Sequence, residues 1–220
     1  MQHQRWQKLV QEKKGFFFDL DGTLLNSEPL HATAIFKILQ AVGLGQDYSP
    51  ALLDKKYMGC TDDYIFQEEG LAARLSLAEF YAQKAVLMQE ILAALTKEDE
   101  QRLLAPGIIE FLVWAKAAGK CLAIVSASER YFIDLVLTQF KMQDFFAYII
   151  AHEDCATAKP APGPYLTALE RSGLMAQEAL AFEDSPPGQR AAQAAFIEVI
   201  PVALSPRPNA LTDFRILLPA

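Results

Sequence analysis

The feature that most constrains the fold of this sequence is a set of short apolar runs, most of which stop abruptly at polar or turn-forming residues. Such runs are too short for buried helices and are typical of strands covered on both faces of a sheet. They occupy residues 15–18, 122–125, 148–151, 179–182 and 197–202. Helical patterns alternate with them at residues 108–118, 129–140, 164–172 and 188–195. This alternation predicts an α/β fold with a doubly wound, mainly parallel sheet.

Residues 29–99 differ from the rest of the chain, because they have helical periodicity and no pattern for a buried strand. We expect an all-helical cap domain at 29–99, inserted into a core domain formed by residues 15–28 and 100–220. The expected hinges lie at 25–29 and 96–106. Residues 1–14 are expected to be an N-terminal extension, either a short extra helix or a frayed arm, and they lack the apolar core of a signal peptide.

The overall charge argues against two classes of partner. The formal net charge is −7, so the chain would repel nucleic acid and anionic membrane surfaces. No run approaches the roughly 20 apolar residues that a membrane span needs, and the three cysteines form no CxxC pair. We therefore expect a cytoplasmic protein with reduced thiols, either a monomer or a homodimer. A phosphorylated substrate would also be repelled, unless a bound cation or lysines supplied local positive charge.

Polar side chains follow three of the predicted strands directly. Ligands bind at the carboxyl ends of the strands in an open parallel sheet, so these side chains should converge in one crevice. The converging residues are Asp19, Asp21, Ser126, Glu183 and Asp184, joined by Lys159 from the loop after the third strand. Four carboxylates cannot all stay ionised in one crevice without a counter-charge. Mg²⁺ would supply it, because it takes oxygen ligands and is commonly held by carboxylates and a substrate phosphate.

The same residue types indicate a reaction. Asp is a known covalent nucleophile, and a carboxylate that attacks phosphorus forms an acyl phosphate. The leaving alkoxide then needs a proton, and the later water needs a base. Asp21 lies two residues beyond Asp19 and therefore points the same way from an extended strand. Lys159, Ser126 and backbone N–H groups near Leu20 and Ala127 would complete a cradle for the phosphate oxygens.

Four motifs occur in order along the chain. They are Asp-Leu-Asp-Gly-Thr-Leu at residues 19–24, Ser126, Lys-Pro-Ala-Pro at 159–162, and Glu-Asp-Ser-Pro-Pro-Gly at 183–188. Together they resemble the haloacid dehalogenase-like (HAD) phosphatases, which implies a Rossmann-like core. Residues 26–31, Asn-Ser-Glu-Pro-Leu-His, are similar to the cap entrance of the β-phosphoglucomutase-like sugar-phosphatase branch.

The resemblance implies a role for each matching residue. Asp19 would be the nucleophile and a metal ligand, while Asp21 would be the general acid/base and a ligand through its backbone carbonyl. An acid at position 21 argues against carbon–halogen cleavage, since the resembling dehalogenases lack it. The remaining implied roles are Mg²⁺ ligation by Asp184, support by Glu183 and Thr23, and phosphoryl binding by Ser126, Ala127 and Lys159.

Some positions depart from the family pattern or stay open. Asn26 and Gly163 stand where the family usually has aspartates, and Ser128 is expected to be the N-cap of the next helix. His31 either contacts substrate at the cap entrance or packs on the hinge. Asp62 stands where β-phosphoglucomutases have an arginine for a distal phosphate, within Met-Gly-Cys-Thr-Asp-Asp at 58–63. A carboxylate there would repel a second phosphate, a hypothesis that fails if Asp62→Ala leaves the substrate ranking unchanged.

These observations predict Mg²⁺-dependent hydrolysis of the phosphate monoester of a small metabolite, in particular a sugar phosphate, through an aspartyl-phosphate. One alternative is a phosphomutase of the β-phosphoglucomutase type, which would retain and return a sugar bisphosphate. Another is a catalytically silent binding or regulatory protein on the same fold. Phosphate release from a panel of phosphorylated metabolites separates the three.

Overall fold

The computed structural model describes residues 2–57, 60–204 and 208–219. Within these residues, five strands form one sheet: β1 Gly15–Phe18, β2 Cys121–Val125, β3 Tyr148–Ile150, β4 Ala179–Glu183 and β5 Glu198–Pro201. The α-helices of the described residues are α1 Gln2–Glu12, α2 Glu28–Ala41, α3 Pro50–Tyr57, α4 Asp62–Glu68, α5 Leu77–Ala93, α6 Lys97–Leu103, α7 Ile108–Ala117, α8 Arg130–Gln139, α9 Gly163–Ser172 and α10 Pro186–Ala194.

The sheet has the strand order β3-β2-β1-β4-β5, and every neighbouring pair is parallel. This confirms the predicted α/β fold. β1 lies in the centre, and its four residues are all buried. Aromatic side chains fill the space around it, with the Phe18 and Phe182 rings stacked 4.8 Å apart and Phe16 packed on Phe111 at 5.6 Å.

The order of the strands determines where a site can form. The chain adds β2 and β3 on one side of β1 and then crosses to place β4 and β5 on the other side. The carboxyl ends of β1 and β4 are therefore neighbours at the point where the strand order reverses. Crevices at such switch points are the usual ligand sites of open α/β sheets.

The observed boundaries of the four helices predicted in the core lie within two residues of the predictions, and helix capping explains two of the differences. The helix predicted at 188–195 begins earlier, at Pro186, because Ser185 caps it by accepting a hydrogen bond from Gly188 N at 3.1 Å and proline suits a first helical turn. The prediction that Ser128 is an N-cap is wrong, since Glu129 occupies that position and α8 begins at Arg130.

The N-terminal extension is a helix and packs on the core. Trp6 and Val10 are buried along one face of α1, and the Gln7 side chain donates a hydrogen bond to Ile216 O at 2.8 Å. Of the two possibilities left open by the sequence, the short extra helix is therefore the one observed.

The chain divides into two compact units, one formed by residues 1–26 and 100–220 and the other by residues 27–99. All the regular secondary structure in the described part of the second unit is helical, and α2 packs on α3 and α5. Its core is a cluster that includes Ile38, Leu53 and Phe80. Ser76 and Glu79 form a reciprocal capping box that fixes the start of α5.

Two further findings concern the described residues as a whole. No helix among them combines the length and apolar character needed to cross a membrane. Cys60, Cys121 and Cys155 are free thiols, as the wide spacing of the cysteines predicted.

Candidate active site

A tight turn after β1 places the first two carboxylates. Asp19 N donates to Phe182 O at 3.0 Å, which continues the pairing of β1 with β4 by one residue. The turn then requires Gly22, whose φ is +78°, a conformation that costs little only for glycine. A Cβ on Gly22 would also lie 2.4 Å from an Asp184 carboxylate oxygen. The glycine therefore lets the first motif approach the fourth one closely.

Lys159 connects three of the strand ends. Its ammonium group donates to Asp19 Oδ1 at 2.6 Å, to Val125 O at 2.9 Å and to Glu183 Oε1. These acceptors use all three N–H donors of the lysine. The side chain is only 7% exposed, so the ion pairs are little screened by solvent.

Glu183 is the most enclosed of the acidic groups. It is 0% exposed, and besides Lys159 it accepts hydrogen bonds from Tyr165 Oη at 3.2 Å, Ser185 N at 3.2 Å and Ser185 Oγ at 3.0 Å. A Cβ on Gly188 would lie 1.8 Å from its Oε1. The carboxylate is therefore pinned in a cavity that fits it closely.

Asp184 lies at the more open side of the group. Thr23, which is fully buried, directs its hydroxyl towards Asp184 Oδ1 at 3.4 Å. Asp19, Glu183 and Asp184 each offer a carboxylate oxygen, and these oxygens lie within 4.8 Å of one another. Such an oxygen-only set suits a hard divalent cation, and the buried acidic cluster could hold one.

Burial and mutual repulsion disfavour the ionised carboxylates. Burial raises the pKa of Asp19 well above its ordinary value, opposed by Lys159 and reinforced by the nearby carboxylates. Burial, followed by repulsion from Glu183, raises the pKa of Asp184 to about 6. Burial alone would lower the pKa of Lys159, but Asp19 and Glu183 outweigh it and the net shift is upwards. If all three carboxylates were ionised, their negative charge would exceed what one lysine neutralises, and a cation would relieve the excess.

The loop after β2 brings hydroxyl groups to the same crevice. Ser126 is buried, and its N–H donates to Ile150 O at 2.9 Å. Its Oγ accepts from Ser128 N at 3.0 Å, so the hydroxyl proton is directed elsewhere. Ala127 between them is exposed.

Ser128 is a site residue that the sequence prediction missed. Its hydroxyl donates to Asp21 Oδ2 at 2.5 Å. The signal available in the sequence was its position two residues after Ser126, which puts both serines in one short loop. That signal could not separate a contact to Asp21 from helix capping.

The two candidate residues of the predicted cap lie in the unit formed by 27–99, and their roles in the site stay predictions. His31 lies near the start of α2 and is partly buried. Asp62, in the first turn of α4, pairs with the buried ammonium group of Lys84. The expected repulsion of a second phosphate depends on the negative charge of Asp62. Lys84 compensates that charge. Met58 and Gly59 of the same motif lie outside the described residues.

The fold and the site together define a doubly wound α/β protein with a lysine-bridged acidic centre at the switch point of its sheet. The family model for haloacid dehalogenase-like hydrolases matches residues 16–202. The chain belongs to this family of enzymes, which confirms the resemblance read from the four motifs.

Individual relatives cover nearly the whole chain. Protein CbbY of Rhodobacter capsulatus is 34% identical over 200 residues, which are 86% of this chain and 85% of that protein. Hexitol phosphatase B of Escherichia coli strain K12 is 29% identical over 209 residues, or 91% of this chain and 87% of that protein. The crystal structure of CbbY from Rhodobacter sphaeroides in complex with phosphate matches with a TM-score of 0.69 at 25% identity, covering 92% of this chain and 95% of that chain.

Proposed function

We propose that this protein hydrolyses phosphate monoesters of small metabolites, sugar phosphates in particular, through an aspartyl-phosphate formed on Asp19. The observation that carries the proposal is the position of Asp19, which is buried, paired with Lys159 at 2.6 Å, and grouped with Glu183 and Asp184. Lys159 holds one Asp19 oxygen, which fixes the orientation of the carboxylate. The hydrolases and phosphatases among its relatives support the same reaction class.

The proposed cofactor is Mg²⁺, with Asp19, Asp184 and the backbone carbonyl of Asp21 as its protein ligands. When bound, the ion would neutralise the excess carboxylate charge and let an anionic phosphate approach. The raised pKa values of Asp19 and Asp184 support this assignment, because burial first and repulsion between the carboxylates second disfavour the ionised forms, which a cation would stabilise. Glu183 is better suited to hold Lys159 than to ligate the ion, because its carboxylate already has several donors.

The chain's own residues carry the proton and phosphoryl steps. Asp19 attacks phosphorus, while Ser126 and the backbone of Ala127 bind the equatorial oxygens that gain charge in the transition state. As Asp19 loses its negative charge to the forming acyl phosphate, Lys159 turns the N–H that it donates to Asp19 towards the same oxygens. Asp21 gives a proton to the leaving alkoxide and afterwards takes one from the water that hydrolyses the aspartyl-phosphate. Residues 29–99 act in this proposal as the cap that admits the substrate and excludes water.

The substrate class is proposed from chemistry and relatives together. The acidic centre and its lysine suit a phosphate monoester, and hexitol phosphatase B among the relatives supports a phosphorylated sugar or sugar alcohol. Phosphoglycolate phosphatases are also among the relatives, such as one from Yersinia pestis at 31% identity. Small phosphorylated organic acids therefore belong in the same test.

The test is a panel of phosphorylated metabolites, assayed for inorganic phosphate with Mg²⁺ and with EDTA. We expect Mg²⁺-dependent release from at least one sugar phosphate and no release by the Asp19→Asn variant. A bisphosphate that is retained and returned without net phosphate release would indicate a phosphomutase instead. Absence of Mg²⁺-stimulated release across the whole panel would refute the proposal.

A further inference from the structure

We propose that Ser128 is a positioning residue that orients the carboxyl group of Asp21 for proton transfer. The inference rests on the proposed function, in which Asp21 is the general acid and base. Its geometric basis is the hydrogen bond from Ser128 Oγ to Asp21 Oδ2, which is 2.5 Å long. A hydrogen bond from a hydroxyl to a carboxylate is charge-assisted, so this contact favours one orientation of the Asp21 carboxyl group.

The main chain fixes the position of the Ser128 hydroxyl. Ser128 N donates to Ser126 Oγ at 3.0 Å, and Ser128 O accepts from His152 N at 3.0 Å. Ser128 therefore joins the loops that follow β1, β2 and β3. Neither main-chain contact uses its side chain, so an alanine at this position keeps the loop in place and removes only the contact to Asp21.

The hydrogen bond selects which Asp21 oxygen carries the transferable proton. When Oδ2 accepts the Ser128 proton, the proton of the neutral carboxylic acid resides on Oδ1. In the first step the bond from Asp19 to phosphorus forms while the ester P–O bond breaks, and the electron pair of that bond goes to the leaving oxygen. The Oδ1 proton moves to this oxygen, while the Ser128 proton stays on its hydroxyl. Without Ser128 this restraint on the carboxyl group is lost, and fewer encounters present an O–H to the leaving group.

This role makes the effect of Ser128→Ala depend on the leaving group. A sugar alkoxide needs the proton from Asp21, whereas p-nitrophenolate is stable enough to leave without it. The comparison uses kcat/KM, which reports the steps up to phosphorylation of Asp19. We expect Ser128→Ala to lower kcat/KM about tenfold for the best sugar phosphate of the panel, which is part of the rate enhancement that a general acid usually contributes. For p-nitrophenyl phosphate we expect kcat/KM to fall by less than about twofold.

Two further variants separate orientation from structure. Ser128→Thr keeps a hydroxyl and should recover most of the activity toward the sugar phosphate. Ser172→Ala is the matched control, because it removes a serine hydroxyl that donates to Leu169 O at 3.1 Å at the end of α9, and it should change neither substrate. Thermal unfolding of all variants shows whether any loss follows from reduced stability.

The outcomes also distinguish this inference from the proposed function. Wild-type protein that hydrolyses neither substrate refutes the proposed function itself. If the wild type is active and Ser128→Ala lowers kcat/KM equally for both substrates, the positioning role alone is refuted, whether or not Tm falls. A Ser128→Thr variant with the same substrate ratio as Ser128→Ala would contradict it as well.

Discussion

Replacing Gly188 by alanine tests how tightly the site is built around Glu183. Gly188 lies in the first turn of α10, and a Cβ there would lie 1.8 Å from Glu183 Oε1 and 2.0 Å from Glu183 Cδ. One of the two groups must move. The Glu183 carboxylate has no easy alternative position, because it is fully buried and bound by Lys159, Tyr165 and Ser185.

Helix propensity and packing predict opposite signs for this substitution. Alanine favours a helix over glycine by about 1 kcal/mol, so propensity alone predicts a more stable protein. Forcing extra volume into a packed core costs about 1–3 kcal/mol. Each hydrogen bond lost by a buried charged group costs about 1.5–3 kcal/mol more. With one hydrogen bond lost, we therefore expect Gly188→Ala to lower the free energy of unfolding by about 1.5–5 kcal/mol.

Urea unfolding of a double-mutant cycle isolates the cause. Glu183→Ala alone destabilises the protein, because it opens a cavity at a fully buried position and removes the acceptor of buried Lys159 and Tyr165 donors. Adding Gly188→Ala to that background should be neutral or stabilising, since the collision has been removed. A Gly188→Ala variant as stable as the wild type, or an equal loss in both backgrounds, would refute the reasoning.

Three other predictions follow from the same contacts. Gly22→Ala should weaken Mg²⁺ binding at least tenfold by calorimetry, because the Cβ would meet Asp184 and the +78° φ is strained; unchanged affinity would contradict the close approach of the two motifs. In EDTA, the pKa of Asp184 is raised to about 6, so the protonated carboxyl group adds to the free energy of unfolding at acid pH, and this contribution is lost as the pH rises from the ordinary carboxyl range through about 6. Asp184→Asn should make the free energy of unfolding fall less over this pH range, and a pH profile identical to that of the wild type would contradict the prediction. Trp6→Ala should lower the free energy of unfolding by about 3–5 kcal/mol and leave kcat of the folded protein unchanged, whereas a kcat effect without a stability loss would contradict a purely packing role for α1.

Local patterns in the sequence predicted much of the fold. The run of three phenylalanines before Asp19 could only be a strand buried on both faces, and it became the central strand. Once the strands were parallel, their carboxyl ends had to share an edge, which brought Asp19, Lys159 and Glu183 together. These residues are far apart in sequence, but topology alone decides that they meet.

Contacts that depend on side-chain direction could not be predicted in this way. Ser128 and Asp21 are 107 residues apart, and a serine next to a helix start has capping as its ordinary role. The pairing of Asp62 with Lys84 joins α4 to α5, and helical periodicity does not fix how those two helices pack. The early start of α10 at Pro186 reflects a cap by Ser185 that periodicity does not reveal.

The central claim is that Asp19 accepts the phosphoryl group. The most direct measurement is an acid quench of the protein during turnover of its best substrate with Mg²⁺, followed by mass spectrometry of the peptide that contains Asp19. We expect a phosphoryl group on Asp19 that appears within the first turnover, is removed by hydroxylamine, and is absent in Asp19→Asn. Turnover with no phosphorylated peptide, or with phosphate on a different residue, would contradict the account.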